Sequence, residues 1–354
     1  MITRGLWSVP GFVDIVLVMK DDTAIRTLLA LLRPQTYVLM CLYCVAGVIF
    51  GLHTSNVAVV PFLRAHGHQL ALVLSAVALW YINGTALNDY ADYEIDLVNL
   101  KGDKQRPLVL GIVTKRTLLK IAFICGAISL GTIFSIGDWR IIGLFSLMFF
   151  LNWAYSFRPF RISRRGGLAP LLLPLGYTSL TVLSGVMLTT KHVQQQHLLL
   201  AGAFYVHFLS RILLKDYRDV VGDKKAGKIT LLLKKGNAYV VKLSLGCFAI
   251  SSVMFLWLLP SNNRYLLPYY AFVATFGIWA LYQLSKTEKW QEQKVFIPIY
   301  GRMCTALITL FVFNIVASSA GLSTVRTSIT FFLITVLFLV SVVDIMNFHH
   351  RSKA

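Results

Sequence analysis

Acidic side chains are scarce in this sequence of 354 residues, and charged residues of either sign make up only 14% of it. Soluble domains carry about 25% charged residues, so this shortage excludes a chain of two or three ordinary soluble domains. The same shortage, together with 13% aromatic residues, excludes intrinsic disorder and a charged coiled coil. Hydrophobic residues reach 56%, which is typical of an integral membrane protein.

Cysteine is also rare, and its placement excludes a scaffold held together by disulfide bonds. The five cysteines all lie within apolar runs, at positions 41, 44, 125, 247 and 304. Even the closely spaced Cys41 and Cys44 are therefore predicted to pack between helices and not to form a redox or metal site.

Apolar runs of about 20 residues, the length that crosses a bilayer as a helix, occur about ten times. Short hydrophilic turns such as Gly137-Asp138 join several of them, which favours antiparallel helices. The sequence predicts an all-α, polytopic transmembrane helical bundle of nine to ten helices. The expected spans are residues 34–53, 69–88, 117–136, 139–156, 168–189, 197–215, 239–259, 265–284, 298–318 and 326–347. The predicted organisation is an interfacial segment over 1–33, the bundle over 34–320, and an additional helix with a short basic tail over 321–354.

Basic residues outnumber acidic residues by 34 to 15, giving a formal net charge of +19. If residue 1 lies on the inner side, 25 Lys and Arg residues fall in inner gaps between spans and five fall in outer gaps. This asymmetry follows the positive-inside rule and predicts cytoplasmic termini, or termini in the equivalent organellar compartment. Because topology explains most of the charge, we expect no nucleic-acid partner.

The few acidic residues are concentrated in two short segments, each at the inner end of an expected span. Both segments read Asp-Tyr-x-Asp-x-x-x-Asp, so each offers carboxylates at i, i+3 and i+7. A continuous helix would gather such residues on one face, and two facing stripes would form a cup of six carboxylates. The carboxylates are Asp89, Asp92 and Asp96 in the first segment and Asp216, Asp219 and Asp223 in the second.

Carboxylates at this spacing repel one another unless a cation lies between them. An all-oxygen ligand set favours Mg²⁺, which leaves coordination positions for water or phosphate oxygens, so a substrate phosphate is expected. Basic side chains suited to phosphate flank both segments. Alternatively, these acidic and basic residues could be ordinary solvated loop charges. That interpretation is disfavoured because the motif occurs twice. The flanking residues are Lys101, Lys104, Arg106, Arg158, Arg161, Arg164, Arg165, Lys215 and Arg218.

As a combination, these motifs resemble the UbiA family of intramembrane prenyltransferases, over about residues 33 to 320. The resemblance rests on four features of the sequence. They are Asn88-Asp89-x-x-Asp92-x-x-x-Asp96, Arg106-Pro107-Leu108, Tyr155-Ser156 with the basic cluster after it, and Lys215-Asp216-x-x-Asp219-x-Val-Gly-Asp223 with Gly227-Lys228.

The resemblance implies a helical bundle around a central cavity, with Mg²⁺ as cofactor and membrane lipids around it. It implies transfer of a polyprenyl group from an isoprenyl diphosphate to an acceptor, most often a small aromatic ring in quinone-type biosynthesis. The implied metal ligands are Asn88, Asp92, Asp96, Asp219 and Asp223, supported by Asp89 and Asp216. The implied catalytic residues are Arg106, Lys215 and Arg161. The implied diphosphate-binding residues are Arg33, Lys101, Lys104, Arg106, Arg161, Arg165 and Lys215.

Several alternatives stay open at the level of sequence. Within the family, the acceptor could be a phosphoribosyl compound or a glycerol lipid. In another class, a cation transporter could use the opposed carboxylates. A CDP-alcohol phosphotransferase is disfavoured because no Asp in the sequence precedes Gly. The sequence also departs from the family in offering Arg161 and Ser163 where a Lys is common, and in the extra span from Thr327 to Phe348.

Overall fold

The computed structural model describes residues 21–225, 227, 229–287 and 290–351. Every regular element within these ranges is helical, which confirms the predicted all-α class. Most of the predicted interfacial segment, residues 1–20, lies outside the described residues, as does Lys228 of the second motif. The described helices are α1 (Asp21–Leu32), α2 (Pro34–Thr54), α3 (Val59–Ala91), α4 (Tyr93–Asn99), α5 (Lys115–Ile136), α6 (Trp139–Ser156), α7 (Leu168–Pro174), α8 (Thr181–Met187), α9 (Gln195–Ile212), α10 (Val220–Lys225), α11 (Leu231–Lys235), α12 (Asn237–Trp257), α13 (Leu267–Lys286), α14 (Trp290–Ser319) and α15 (Thr324–Arg351).

Nine helical segments within the described ranges are long and apolar enough to cross a membrane. This confirms the prediction of a polytopic bundle, and the chain is an integral, multi-pass membrane protein. A π-helix over Leu175–Leu180 joins α7 and α8 into one such segment. The nine segments are Pro34–Thr54, Val59–Ala91, Lys115–Ile136, Leu168–Met187, Gln195–Tyr217, Asn237–Trp257, Asn263–Lys286, Val295–Ser319 and Thr324–Asn347.

The expected span over residues 139–156 is not among these nine, although it forms the 18-residue helix α6. Its sequence includes the polar residues Arg140 and Asn152. Asn152 donates to the carbonyl oxygen of Trp80 and to Asn83 Oδ1, both at 3.2 Å, so its amide is satisfied against α3. Helix α6 returns antiparallel to α5 through Gly137, which takes the left-handed conformation at φ 75° that favours glycine.

The described chain divides into two compact units, each built from separate stretches of sequence. The first contains the described parts of Met1–Cys41, His68–Ala169 and Val221–Lys228, and the second contains those of Leu42–Gly67, Pro170–Val220 and Ile229–Ala354. Because both units interleave along the chain, the sequential division into 1–33, 34–320 and 321–354 stays a prediction.

The first unit has an apolar core that joins α1, α3, α5 and the loop between α4 and α5. Leu31 of α1, Ile82 of α3 and Leu118 of α5 are buried in it, and Leu108 from the loop packs against them. Polar side chains tie the same helices together: Ser129 Oγ donates to the carbonyl oxygen of Ala76 at 2.8 Å. A loop held in this way by its own apolar side chains can present its polar residues in a fixed position.

The second unit is organised around α9, which packs on α12 and α14. His207 is buried, with Nδ1 at 3.2 Å from Ser251 Oγ and Nε2 at 3.0 Å from the carbonyl oxygen of Cys304. Ser244 Oγ and Tyr300 OH approach Ser210 at 2.6 and 2.7 Å. These hydrogen bonds satisfy the polar groups of three helices among themselves, which assigns His207 a packing role.

Helices α2 and α8 meet through glycines within the second unit. A Cβ atom on Gly185 would overlap the carbonyl oxygen of Cys44, and a Cβ atom on Gly47 would overlap that of Val182. Small residues are used at such crossings because they let two backbones approach closely.

We expect Gly185→Ala to lower the free energy of unfolding by about 2 kcal/mol or more, because the added methyl group must push α2 and α8 apart. Thermal unfolding of the detergent-solubilised protein measures this. Gly143→Ala in α6 is the matched control, since nothing lies within 4 Å of its Cβ position. The control is expected to keep or slightly raise stability through its better helix propensity. Equal melting of Gly185→Ala and the unmodified chain would contradict the close crossing.

Candidate active site

The first acidic motif does not lie on one helix, contrary to the sequence prediction. Helix α3 ends at Ala91 and α4 begins at Tyr93, with Asp92 between them at φ −104° and ψ 12°. Asp89 therefore belongs to α3 and Asp96 to α4. The backbone bond from Asp96 N–H to the Asp92 carbonyl oxygen, 2.9 Å, holds the second helix against the end of the first.

Two arginines bind the first motif, where the sequence suggested repelling carboxylates. Arg106 Nη1 contacts Asp89 Oδ1 directly and lies 3.2 Å from Asp96 Oδ2. Arg33 Nη2 donates to the same Asp89 oxygen at 3.1 Å. The Asp89 and Arg106 side chains are 2% and 7% exposed, so this is a buried cluster of two acids and two bases. Within the first unit, the predicted cup of carboxylates is therefore wrong in one respect: guanidinium groups lie among the acids and offset their charge.

Local structure positions both arginines. Arg33 joins α1 to α2 with φ 44°, a left-handed conformation that turns the chain sharply at this residue. Arg106 lies in the loop between α4 and α5, where its N–H bonds the carbonyl oxygen of Asp103 at 3.0 Å. Leu108 and Val113 bury the same loop in the core of the first unit. The two cations thus reach Asp89 from different stretches of the chain.

The oxygens of the first motif have the chemistry of ligands for a hard metal ion. Asn88 Nδ2 donates to Asp92 Oδ2 at 2.9 Å. Asp92 Oδ1 and Asp89 Oδ2 are buried without a hydrogen-bond partner among the described residues. Buried carboxylate oxygens of this kind suit a hard divalent cation such as Mg²⁺. No group of three or more His, Cys, Asp or Glu side chains in the described ranges could hold a metal ion by itself. The donor chemistry fits, and phosphate oxygens of a substrate would have to complete the coordination.

The second acidic motif is also broken into short elements. Asp216 lies in a 3₁₀ turn over Lys215–Tyr217, whereas Asp223 lies in α10. The predicted continuous helix face is therefore wrong for this motif as well. A single face needs an unbroken helix, and the chain changes from α to 3₁₀ geometry before it reaches Asp219.

The end of the second motif lies in the same unit as the first motif. Gly222 N–H donates to Asn99 Oδ1 at 2.5 Å, and Asn99 is the last residue of α4. Asp223, next to Gly222, is 1% exposed. Sequence reasoning missed Asn99, although an amide at the end of the acidic segment, three residues after Asp96, was the signal that could have found it.

Three other predicted residues belong to the second unit. Asp216 is buried there, and Lys215 begins the 3₁₀ turn beside it. Asp219 Oδ1 accepts a hydrogen bond from Arg218 Nε at 3.1 Å. Their predicted roles in metal and diphosphate binding stay predictions.

The predicted basic residues of the first unit fall into two groups. Arg161 is partly buried: its Nη2 donates to the carbonyl oxygen of Ala91, at the end of α3, at 2.9 Å. Burial lowers the pKa of the Arg161 guanidinium, with Arg164 acting in the same direction and the Asp92 carboxylate opposing it.

The other group is exposed. Arg165 donates a hydrogen bond to the carbonyl oxygen of Pro159 at 3.0 Å. Lys101 and Lys104 are exposed on the loop that carries Arg106. Arg33, Arg106 and Arg161 are thus the predicted cations that the structure brings to the acidic motif.

Comparison with known proteins decides the family. The sequence profile of the UbiA prenyltransferase family matches residues 57–303. The chain belongs to the UbiA prenyltransferase family. The prediction made from the motifs is therefore confirmed, and with it the class of enzyme, a prenyltransferase.

Two relatives of this UbiA family member are named for different products. It is 30% identical to the digeranylgeranylglyceryl phosphate synthase of Thermococcus gammatolerans, over 70% of this chain and 83% of the relative. It is 26% identical to the bacteriochlorophyll synthase 33 kDa chain of Cereibacter sphaeroides, over 49% of this chain and 57% of that protein. The match to the second relative thus spans little more than half its length.

Solved structures support the fold. A UbiA homologue from Archaeoglobus fulgidus, bound to GPP and Mg²⁺, has a TM-score of 0.60 with this UbiA family member at 17% identity. The similarity covers 82% of this chain and 99% of the homologue. At this identity the likeness establishes the helical fold, in agreement with the predicted bundle.

Proposed function

We propose that the protein transfers a prenyl group from an isoprenyl diphosphate to a membrane-borne acceptor, with Mg²⁺ as cofactor. The observation that carries this proposal is the buried cluster of Arg33, Arg106, Asp89 and Asp96 at the end of a membrane helix. Acids and bases held together at this position suit a lipid whose charged group is a metal-bound diphosphate. The family and the arginines bound to the carboxylates both argue against a cation transporter.

Different residues of the site are proposed to bind the metal ion and the diphosphate. Asn88, Asp92, Asp96 and Asp223 are the proposed Mg²⁺ ligands from the first unit, with Asp89 in support. When bound, Mg²⁺ would offset the negative charge that builds on the diphosphate. Arg106 and Arg161 are proposed to bind diphosphate oxygens in fixed, forked hydrogen bonds. For Asp216, Asp219 and Lys215 of the second unit, the roles in metal and diphosphate binding expected from the sequence are kept as proposals.

Transfer requires the allylic C–O bond of the donor to break, with its electron pair going to the diphosphate oxygen. Fixed positive charge beside that oxygen stabilises the transition state without any proton transfer to the leaving group. The acceptor oxygen or carbon then bonds to the allylic carbon and releases its own proton. An environment within membrane helices keeps the allylic cation from reacting with water.

For the acceptor, we propose a glyceryl phosphate lipid. The relative from Thermococcus supports this choice, because its named product is a glyceryl phosphate carrying two geranylgeranyl groups and 83% of its length is matched. An aromatic ring, the acceptor expected from the sequence, is the second candidate. The basic loop with Arg158, Arg161, Arg164 and Arg165 offers more cationic groups than a single diphosphate needs, which favours an acceptor that carries its own phosphate.

A direct assay tests this proposal. We expect purified protein in nanodiscs to transfer labelled isoprenyl diphosphates to a glyceryl phosphate carrying one prenyl chain, and to a hydroxybenzoate at least tenfold more slowly. Products are identified by mass, and chelation of Mg²⁺ is expected to stop the reaction. Preferred use of the hydroxybenzoate would establish the aromatic alternative. Full turnover after thorough chelation would overturn the metal role.

Sidedness forms part of the proposal. The excess of basic residues in alternate loops supports a site that faces the cytoplasm or its organellar equivalent. Cysteine labelling from either side of sealed vesicles measures it, with a cysteine placed at exposed Lys104 and another at exposed Asn56. We expect the label to reach position 104 from the inner side.

A further inference from the structure

The side chain of Asn99 connects the two acidic motifs within the first unit. Asn99 Oδ1 accepts the hydrogen bond from Gly222 N–H at 2.5 Å, across 123 residues of sequence. Asn99 closes α4, which carries Asp96, and Gly222 precedes Asp223 in α10. We call this pair, Asn99 and Gly222, the clasp.

The clasp is tightly packed. A Cβ atom on Gly222 would overlap the side-chain oxygen of Asn99, so only glycine lets the backbone approach this closely. Helix α4 itself is held by one buried face, with Ile95 6% exposed and the following Leu100 5% exposed. Leu97 and Val98 on the other face are 38% and 46% exposed. Asn99 therefore projects from a helix whose position is set by apolar burial.

We propose that Asn99 is a positioning residue for the prenyl-transfer site, acting by holding Gly222 so that Asp223 is presented beside Asp96. This inference rests on the proposed function, because it takes both aspartates to serve one metal-bound diphosphate. Asn99 and Asp96 are three residues apart and share a face of α4. A segment bonded to Asn99 is thereby brought to the face that carries Asp96, and buried Asp223 follows directly.

The clasp predicts a change in Mg²⁺ dependence. In Asn99→Ala the Gly222 N–H loses its acceptor, and Asp223 is no longer held in place. Residues that orient metal ligands commonly contribute about 10-fold to 100-fold in metal affinity. We expect the Mg²⁺ concentration for half-maximal turnover to rise about tenfold, and turnover to recover substantially at saturating Mg²⁺. Calorimetric titration of the protein with Mg²⁺ and a non-reactive isoprenyl diphosphate analogue measures the affinity directly. Val98→Ala, on the exposed face of the same helix, is expected to match the unmodified protein.

Gly222→Ala tests the same contact from the other side. Its methyl group should displace the segment and give the same loss of Mg²⁺ affinity. The double variant Asn99→Ala/Gly222→Ala removes the overlap, so we expect it to be no weaker than Asn99→Ala alone. Additive losses in the double variant would overturn the clasp.

Thermal unfolding of each variant distinguishes a displaced Asp223 from a general loss of folding stability. Loss of Mg²⁺ affinity with an unchanged melting temperature supports the proposal. Loss in proportion to the unfolded fraction, without recovery at high Mg²⁺, overturns it in favour of a purely structural tether. If the unmodified protein binds no diphosphate with Mg²⁺, the proposed function itself fails. If it binds and Asn99→Ala binds equally well, only the positioning role fails.

Discussion

Asp92→Asn is expected to reduce prenyl transfer about a thousandfold while leaving the protein folded in the membrane. Asp92 Oδ1 is buried without a hydrogen-bond partner among the described residues, and Oδ2 accepts a hydrogen bond from Asn88. An amide keeps this geometry but removes the negative charge that a metal-bound diphosphate would need. Loss of one preorganised charged group at a reacting centre costs about 10²-fold to 10³-fold in rate. Turnover of labelled isoprenyl diphosphate and thermal unfolding are measured on the same preparation.

Glu94→Gln is the matched control for this variant. Glu94 lies in the same acidic segment, but its side chain is 75% exposed and pairs with Lys115 at 3.3 Å on the outside of α4. We expect normal turnover and normal melting. Asp219→Asn is expected to reduce transfer about as strongly as Asp92→Asn, since Asp219 is a proposed metal ligand from the second motif. Full activity of Asp92→Asn would remove the first motif from the proposed metal site.

Asp89→Asn is expected to lower the free energy of unfolding by about 3 kcal/mol, in addition to impairing turnover. Its carboxylate forms ion pairs with both Arg106 and Arg33, and both Asp89 and Arg106 are almost fully buried. Removing one partner of a buried ion pair leaves an uncompensated charge, which costs about 3 to 5 kcal/mol. We expect a smaller loss of stability for Asp92→Asn, because no salt bridge joins Asp92 to an arginine among the described residues. Denaturation of the purified protein, followed by tryptophan fluorescence, measures the difference.

A double variant tests whether the arginine causes that loss. In Asp89→Asn/Arg106→Gln both charges are removed together, so we expect most of the lost stability to return while turnover stays low. Stability that remains as low as in Asp89→Asn would mean that Asp89 acts through contacts other than Arg106. The comparison therefore separates the structural role of Asp89 from the metal-binding role proposed for Asp92.

Much of the site could be read from residue types and spacing. The repeated acidic motif, its place at the end of apolar spans and the basic residues around it predicted a family that the comparisons confirm. These features can be recognised in the sequence alone because membrane spans tolerate few charged residues. Each charged residue that does occur at a span is therefore informative. Arg106 and Arg161 were predicted from this charge pattern and Arg33 from the resemblance to the family. All three contact the end of α3 or its acidic residues.

The helix-face argument failed for a physical reason. It assumed 3.6 residues per turn from Asp89 to Asp96, but the backbone breaks at Asp92 and the second motif begins in a 3₁₀ turn. Periodicity describes a segment only while its geometry is constant. The break also lets Arg106 contact Asp89 of α3 while lying 3.2 Å from Asp96 of α4.

Composition, charge placement and local motifs were enough to establish a multi-pass helical membrane protein of the UbiA family, because hydrophobic length and rare charges are properties of the chain itself. Only the tertiary structure shows that Arg33 and Arg106 contact the same oxygen of Asp89, and that Asn99 accepts a hydrogen bond from Gly222. Those contacts join residues 56, 17 and 123 positions apart, and their partners depend on how α1, α3, α4 and α10 pack. No local pattern encodes such packing, since it results from burial of apolar faces that many sequence positions contribute together.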